Sequence, residues 1–211
     1  MEAIFNCHRG RHYKSFNGYA CGMEEKRDGR HERVERGKIA VYEALTSLFA
    51  EGRYNPPISE IAARAGVSER TLFRYFDSFN DVIAGAVGYV YPRVQNYFEA
   101  SPPDGSLFER LRALVELRCD FSRRQGVITR TTETLAYEWP AAAAARFGRV
   151  VLLNEQLKKW LGSDLARLSD EKLVVISRML DIPSLEAMSA ALGDKTADVV
   201  ARAAVAIIEA D

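Results

Sequence analysis

Apolar residues recur every three or four positions through most of the chain, and where that beat stops, glycine or proline stands. Val41, Leu45, Leu48 and Phe49 share one face of a first helix, which Gly52 ends. Asn55, Pro56 and Pro57 then interrupt. Proline is tolerated in a first helical turn, so the next helix starts near Ile58. Gly66 stops that helix, and Ser68 is placed to cap a third that runs to about Phe76. A fourth extends from about Asn80 to Phe98. The run Ser101-Pro102-Pro103-Asp104-Gly105 is the clearest break in the chain. After it, Leu107, Leu111, Leu114 and Phe121 form one stripe, and Phe147, Val150, Val151, Leu157 and Leu161 form another. Leu173, Ile176 and Leu180 lead to Pro183, which should kink or interrupt its helix. Val199, Val200, Ala203, Ile207 and Ile208 line a last helix after Gly193. No segment alternates as a strand does, and no repeat of solenoid period occurs. The pattern predicts an all-α protein of about nine helices.

The beat is missing at the start. Residues 1–32 hold Gly10, Gly18, Gly22 and Gly29 and no helical apolar period, so they are read as a flexible extension. Met23 offers an internal start, with the residues before it a leader. Residues 33–79 form a first helical unit, and residues 80–211 a second.

The segment Ile58 to Phe76 is a short helix, a glycine turn and a second short helix. At about 100° per residue, Leu72 and Phe76 of the second helix lie within roughly 40° of each other. With Ile61, Ala62, Ala65 and Val67 they can lock the two helices together, and the small residues at 62, 65 and 66 allow a close crossing. The opposite arc carries Arg70 and Arg74, flanked by Thr71 and Phe73, with Tyr75 at the boundary. These side chains suit a DNA major groove. Arginine can grip guanine O6 and N7 together, and a phenyl ring can meet thymine methyls. Threonine and tyrosine hydroxyls can hold phosphate oxygens. A backbone amide at the helix start, near Ser68, can add another phosphate contact.

The string IAARAGVSERTLFRYF resembles the DNA-binding signature of the TetR family of bacterial one-component regulators. The preceding Leu48-Phe49-Ala50-Glu51-Gly52 and the overall length agree, and the resemblance covers roughly residues 36–85. It implies a three-helix DNA-binding domain joined by a fourth helix to a C-terminal ligand-binding and dimerisation domain. It further implies a homodimer that represses transcription from a double-stranded operator and releases it when a small-molecule effector binds. Carried over by position, Thr71, Phe73 and Tyr75 fall in the contacting helix, and Leu72 and Phe76 in its core. Two positions depart from the family pattern. Pro57 stands where Thr or Ser is common, and the run Asp77-Ser78-Phe79-Asn80-Asp81 lacks the usual lysine. Each missing phosphate contact weakens binding and flattens its salt dependence. Arg33, Arg36 and Lys38, just before the first helix, are candidates to compensate.

In the C-terminal half, the patterns over about 171–192 and 195–209 are rich in small residues. Ala187, Ala190, Ala191, Ala201, Ala203, Ala204 and Ala206 permit close helix approach, which with a two-fold partner makes a four-helix interface. Phe121, Thr131, Tyr137, Trp139, Trp160 and Met179 are candidate linings of an effector pocket, since such pockets are mostly apolar with a few polar groups.

Bulk composition narrows the alternatives. Formal net charge is zero, so any basic face is local. There is no apolar run long enough to span a membrane. The three cysteines are odd in number and widely spaced, which fits a reducing cytoplasm better than a disulfide framework. Cys7, His8, His12 and Cys21 are zinc-ligand types, but their spacing lacks a Cys-x-x-Cys pair, so no metal or other cofactor is expected. No histidine follows His31, and no phosphate loop or nucleophile elbow occurs, so the chain is read as a non-enzyme. The competing reading is a TetR-like helical protein that acts mainly through protein contacts, with weakened DNA binding.

Overall fold

The computed structural model describes residues 29–210. Among them are nine α-helices and no strand: α1 (Gly29–Ala50), α2 (Ile58–Arg64), α3 (Glu69–Tyr75), α4 (Phe79–Glu99), α5 (Leu107–Leu135), α6 (Pro140–Leu161), α7 (Asp170–Met179), α8 (Ile182–Leu192) and α9 (Thr196–Glu209). Short 3-10 turns follow α6 and α8. The Cys7, His8, His12 and Cys21 set and the candidate start at Met23 lie outside the described residues. Among those described, no helix is long and apolar enough to cross a membrane, and no cluster of three or more metal-ligating side chains occurs.

Helix ends follow the local chemistry. Ser68, Ser78, Ser106, Ser169 and Asp181 each accept a backbone N–H of the following first turn, which satisfies a donor the helix itself leaves open. Ser106 and Glu109 complete a reciprocal capping box at the start of α5. Gly52 and Gly66 close α1 and α2 at positive φ, 79° and 68°, a conformation costly for any residue with a Cβ.

Two details depart from the sequence-based expectation, and the interruption expected at Pro183 takes a definite form. Helix α1 begins at Gly29, so the extension read over 1–32 is helical in its last four residues, and Arg33, Arg36 and Lys38 sit on a helix rather than ahead of one. Pro183 takes the second position of α8 behind the Asp181 cap, so it interrupts the pattern and starts a new helix. On α6 the inward stripe is Ala142, Leu153, Gln156, Leu157, Trp160 and Leu161, whereas Phe147 and Val151 face solvent. Both remain apolar residues on the outside of the molecule.

Packing divides into a head and a larger body. The head core joins Val41, Leu45, Leu48 and Phe49 of α1 with Ile61 and Ala62 of α2 and with Leu72 and Phe76. It continues into Val82, Ile83 and Ala86 of α4, Leu135 of α5 and Ala142 of α6, so the head is seated on the ends of α5 and α6. The body core gathers Leu111, Leu114 and Val115 of α5, Leu157, Trp160 and Leu161 of α6, Ile176 of α7, Leu185 of α8, and Val200, Ala201 and Ala204 of α9. Between them, Val94 and Phe98 of α4 meet Phe121, Leu153 and Ile182.

Candidate nucleic-acid interface

Helix α3 is only seven residues long, too short to hold itself in water. It is held from behind. Leu72 is 1% exposed, Phe76 is buried, and Ala65 and Val67 pack around them from the α2 side, as the helical wheel predicts. Val67 N–H also bonds back to the Ala62 carbonyl at 3.0 Å, closing the turn. Tyr75 fixes the roll of the helix. Its ring packs over Gly37 of α1 so closely that a Cβ there would sit 2.5 Å from the hydroxyl oxygen, and it meets Phe76 edge-on. Glycine at 37 is what lets α3 approach α1.

With Leu72 and Tyr75 turned inward, the opposite arc faces out. Phe73 is 56% exposed, and Arg70 and Arg74 are exposed on either side of it. The Arg74 guanidinium lies 5.6 Å from the centroid of the Tyr75 ring. Ser68 and Thr71 are turned toward each other: the Ser68 hydroxyl accepts the Thr71 N–H, and the two hydroxyl oxygens are 2.9 Å apart. Their first task is therefore to cap α3.

Ion pairing separates these arginines from Arg64, Arg53 and Lys38. Arg64 grips both carboxylate oxygens of Glu51, at 2.6 and 3.0 Å, which holds the Glu51 carboxyl below its ordinary pKa. Arg53 pairs with Glu60 at 2.8 Å, and Lys38 with Glu35 at 3.1 Å. Among the described residues, Arg70 and Arg74 make no ion pair. Two unpaired guanidinium groups beside an exposed phenyl ring, on a helix seated by its other face, can enter a groove and reach base edges.

Residues 41–84, from the middle of α1 into α4, match the family model described as "Bacterial regulatory proteins, tetR family". The head is a TetR-family DNA-binding domain. The protein is thus a DNA-binding transcriptional regulator of the TetR kind, with α2 and α3 as its helix-turn-helix. A solved structure, of a transcriptional regulator from Rhodococcus sp. Rha1, has the same fold over most of the chain. Its TM-score is 0.59 at 16% identity, covering 83% of this chain and 95% of that one. No curated protein matches the sequence.

The two departures from the TetR pattern have local explanations. Pro57 precedes α2 in extended conformation and supplies no side-chain cap. The run after Phe76 serves the start of α4: Ser78 caps it and pairs with Asp81, while Phe79 turns inward onto Trp139, ring centroids 5.1 Å apart.

The six residues expected to line one effector pocket do not converge. Phe121 lies edge-on to Tyr97 and Phe98 between head and body. Thr131 is fully buried, its hydroxyl donating to the Val127 carbonyl of its own helix at 2.9 Å. Tyr137 is 90% exposed in the turn after α5 and lines nothing. Trp139 belongs to the head core, and its buried Nε1 has no partner. Trp160 is fixed in the body core by donating its Nε1–H to the Ala100 carbonyl at 3.0 Å, and Met179 packs against the same core. The reason is length. Helix α5 is extended enough that Phe121 and Thr131 are ~15 Å apart along its axis. Of the six, Phe121 alone borders the small cavity, of about 10 Å³, lined also by Tyr97, Phe98, Leu117, Arg118, Leu153, Gln156 and Ile182.

Sequence reasoning also missed two polar positions. Asn80 of α4 accepts the Ala141 N–H at 2.8 Å, capping α6 from another helix. Arg118 of α5 is a charged residue in an otherwise apolar stripe. Its offset from Leu111, Leu114 and Phe121 was the available signal.

Proposed function

We propose that the protein is a homodimeric repressor, cytoplasmic by the nature of its target, that loads two α3 helices into successive major grooves and lets go when a small molecule binds its helical body. The observation that carries this reading is the outward arc of Arg70, Phe73 and Arg74, unpaired in charge and backed by a packed face. In it, Arg70 and Arg74 read base edges, Phe73 meets thymine methyls, Ser68, Thr71 and Lys38 steady the helix against phosphates, and Tyr75 fixes its roll from the inner side.

Support for the dimer comes from α8 and α9. Ala201 and Ala204 are buried within the monomer, but Ala187, Ala190, Ala191, Val199, Ala203 and Ala206 lie on the exposed sides of the two helices. Small residues there let a partner's pair approach closely. Support for release comes from the seat of the head. The Phe79–Trp139 contact and the Asn80 cap tie the first turn of α4 to the first turn of α6. A shift of α6 or α5 on effector binding would move α4, and with it the spacing of the two heads.

Footprinting of DNA flanking the gene tests this reading. Two protected half-sites about one helical turn, 10 base pairs, apart support it; protection without sequence preference at low salt contradicts it. The rival reading, action mainly through protein contacts, draws on the engagement of Lys38, Arg53 and Arg64 in ion pairs. It predicts a shallow salt dependence on any DNA.

A further inference from the structure

Arg118 is 2% exposed, at the centre of the body beside the small cavity. Its Nε–H donates to Gln156 Oε1 at 3.1 Å, and its terminal nitrogens donate to the Leu180 and Leu153 carbonyls, each at 2.6 Å. All three acceptors are neutral. Each terminal nitrogen keeps one further N–H. Burial pushes the guanidinium down to about 9, opposed by the more distant Asp181 carboxylate, so it is still charged at neutral pH. That carboxylate is itself engaged, capping α8 through the Ser184 N–H at 2.8 Å.

The neighbouring inward arginines differ. Arg110 has Asp164 at 2.5 Å, and Arg149 has Glu133. Arg118 is the more buried and makes no ion pair among the described residues. A buried cation without a counter-charge is costly unless other groups compensate. The Leu180 carbonyl ends α7 and helps, through the negative end of the helix dipole, but it carries no full charge. Around the guanidinium the cavity wall is mostly apolar: Phe98, Leu117, Phe121, Leu153 and Ile182, with Tyr97 and Gln156 beside them.

We infer that this cavity is the closed form of an effector site for an organic carboxylate, whose anionic head pairs with Arg118 and whose apolar chain or ring displaces Phe121 and Ile182 to make room. This rests on the effector-release reading above and names its ligand class. A guanidinium takes a carboxylate through two parallel N–H donors, which selects a planar anion over an alcohol or amide of the same shape. Phe121 and Ile182 sit on α5 and α8 against Phe98 of α4, so opening the cavity pushes on the helix that carries the head.

The test is titration calorimetry of the full chain with octanoate against 1-octanol, and with 3-phenylpropanoate against its amide. At least one acid should bind tenfold or more tightly than its neutral counterpart, and the Arg118 Nε–H nitrogen signal should shift while those of the exposed Arg123 and Arg124 stay. Arg118→Met should remove the preference. Equal affinity for acid and neutral probe, no binding of either acid, or an unchanged preference in the variant overturns the inference and leaves Arg118 as a strut between α5, α6 and α7. If Arg118→Met does not fold, the wild-type pairs and the nitrogen signal decide. Operator affinity is measured in parallel without probe. Loss of DNA binding there would sink the repressor reading, whatever the carboxylates do.

Discussion

The head and the body of this protein place their charge in opposite ways. In the head, arginine faces outward: α3 turns Leu72 into a small core and holds Arg70 and Arg74 in solvent, without ion partners among the described residues. In the body, arginine faces inward: Arg118 is buried among carbonyls next to a cavity. A surface reader meets a ligand that brings thousands of competing sites, so its cations stay hydrated until contact. A buried receptor of the kind proposed must discriminate among small molecules, so the cation at its cavity is desolvated in advance, where a mismatch is costly. On the proposed reading, the same residue type serves to read in one region and to select in the other.

Core truncation should separate the two regions most strongly. Leu72→Ala is expected to cost about 2–5 kcal/mol in urea denaturation and to abolish DNA binding, because Leu72 is the fully buried side chain within the short α3. Leu157→Ala in the body should cost a similar ~2–5 kcal/mol yet leave DNA affinity intact wherever the protein is still folded. Equal loss of DNA affinity in both would erase the distinction between head and body.

The seat of Tyr75 on Gly37 gives the next largest effect. Gly37→Ala puts a methyl 2.5 Å from the tyrosine oxygen and displaces the ring. Overpacking of this kind costs about 1–3 kcal/mol, partly offset by the gain in helix propensity, so DNA affinity should fall while thermal stability changes little. An unchanged affinity would mean that Tyr75 does not set the roll of α3. Ser68→Ala should lower stability by ~1 kcal/mol through loss of the α3 cap, read as a drop in the denaturation midpoint. An unchanged midpoint would leave the cap without a stabilising role.

The smallest effect is electrostatic. The hydrogen bond from Arg64 keeps Glu51 ionised to lower pH than an ordinary glutamate at 4.5. Its contribution is therefore present above that value and lost as pH falls through the lowered one. Glu51→Gln should flatten the acid-side decline in stability slightly, since the pair is exposed and screened. A variant with the same acid profile as the parent would show that the pair adds nothing.

Most of the head was legible because its information is local. Ser68 capping, Gly66 turning and Leu72 with Phe76 sharing a face all arise within a few residues of one another. The helix order of the body was legible for the same reason: proline and glycine mark where helices change. What could not be read there was which residues meet. Phe121, Trp139 and Trp160 are alike in composition terms, yet they fall into three separate packed groups because long helices carry them far apart. The Asn80 cap on Ala141 and the Arg118 bond to Leu180 join residues about sixty positions apart, beyond the reach of any periodicity. Tyr75 was only half legible: the wheel put it at the boundary, but its close seat on α1 depends on Gly37.

The central claim is that the outward arc of α3 reads base sequence. Its most direct test takes the best duplex selected from random sequence by the full chain, and measures affinity for it and for a scrambled duplex with wild type, Arg70→Ala and Arg74→Ala. Each variant should lose about 1–3 kcal/mol, roughly 5- to 150-fold, on the selected duplex and much less on the scrambled one, with no change in denaturation midpoint. Equal loss on both duplexes, or none on either, would show that this arc does not read DNA.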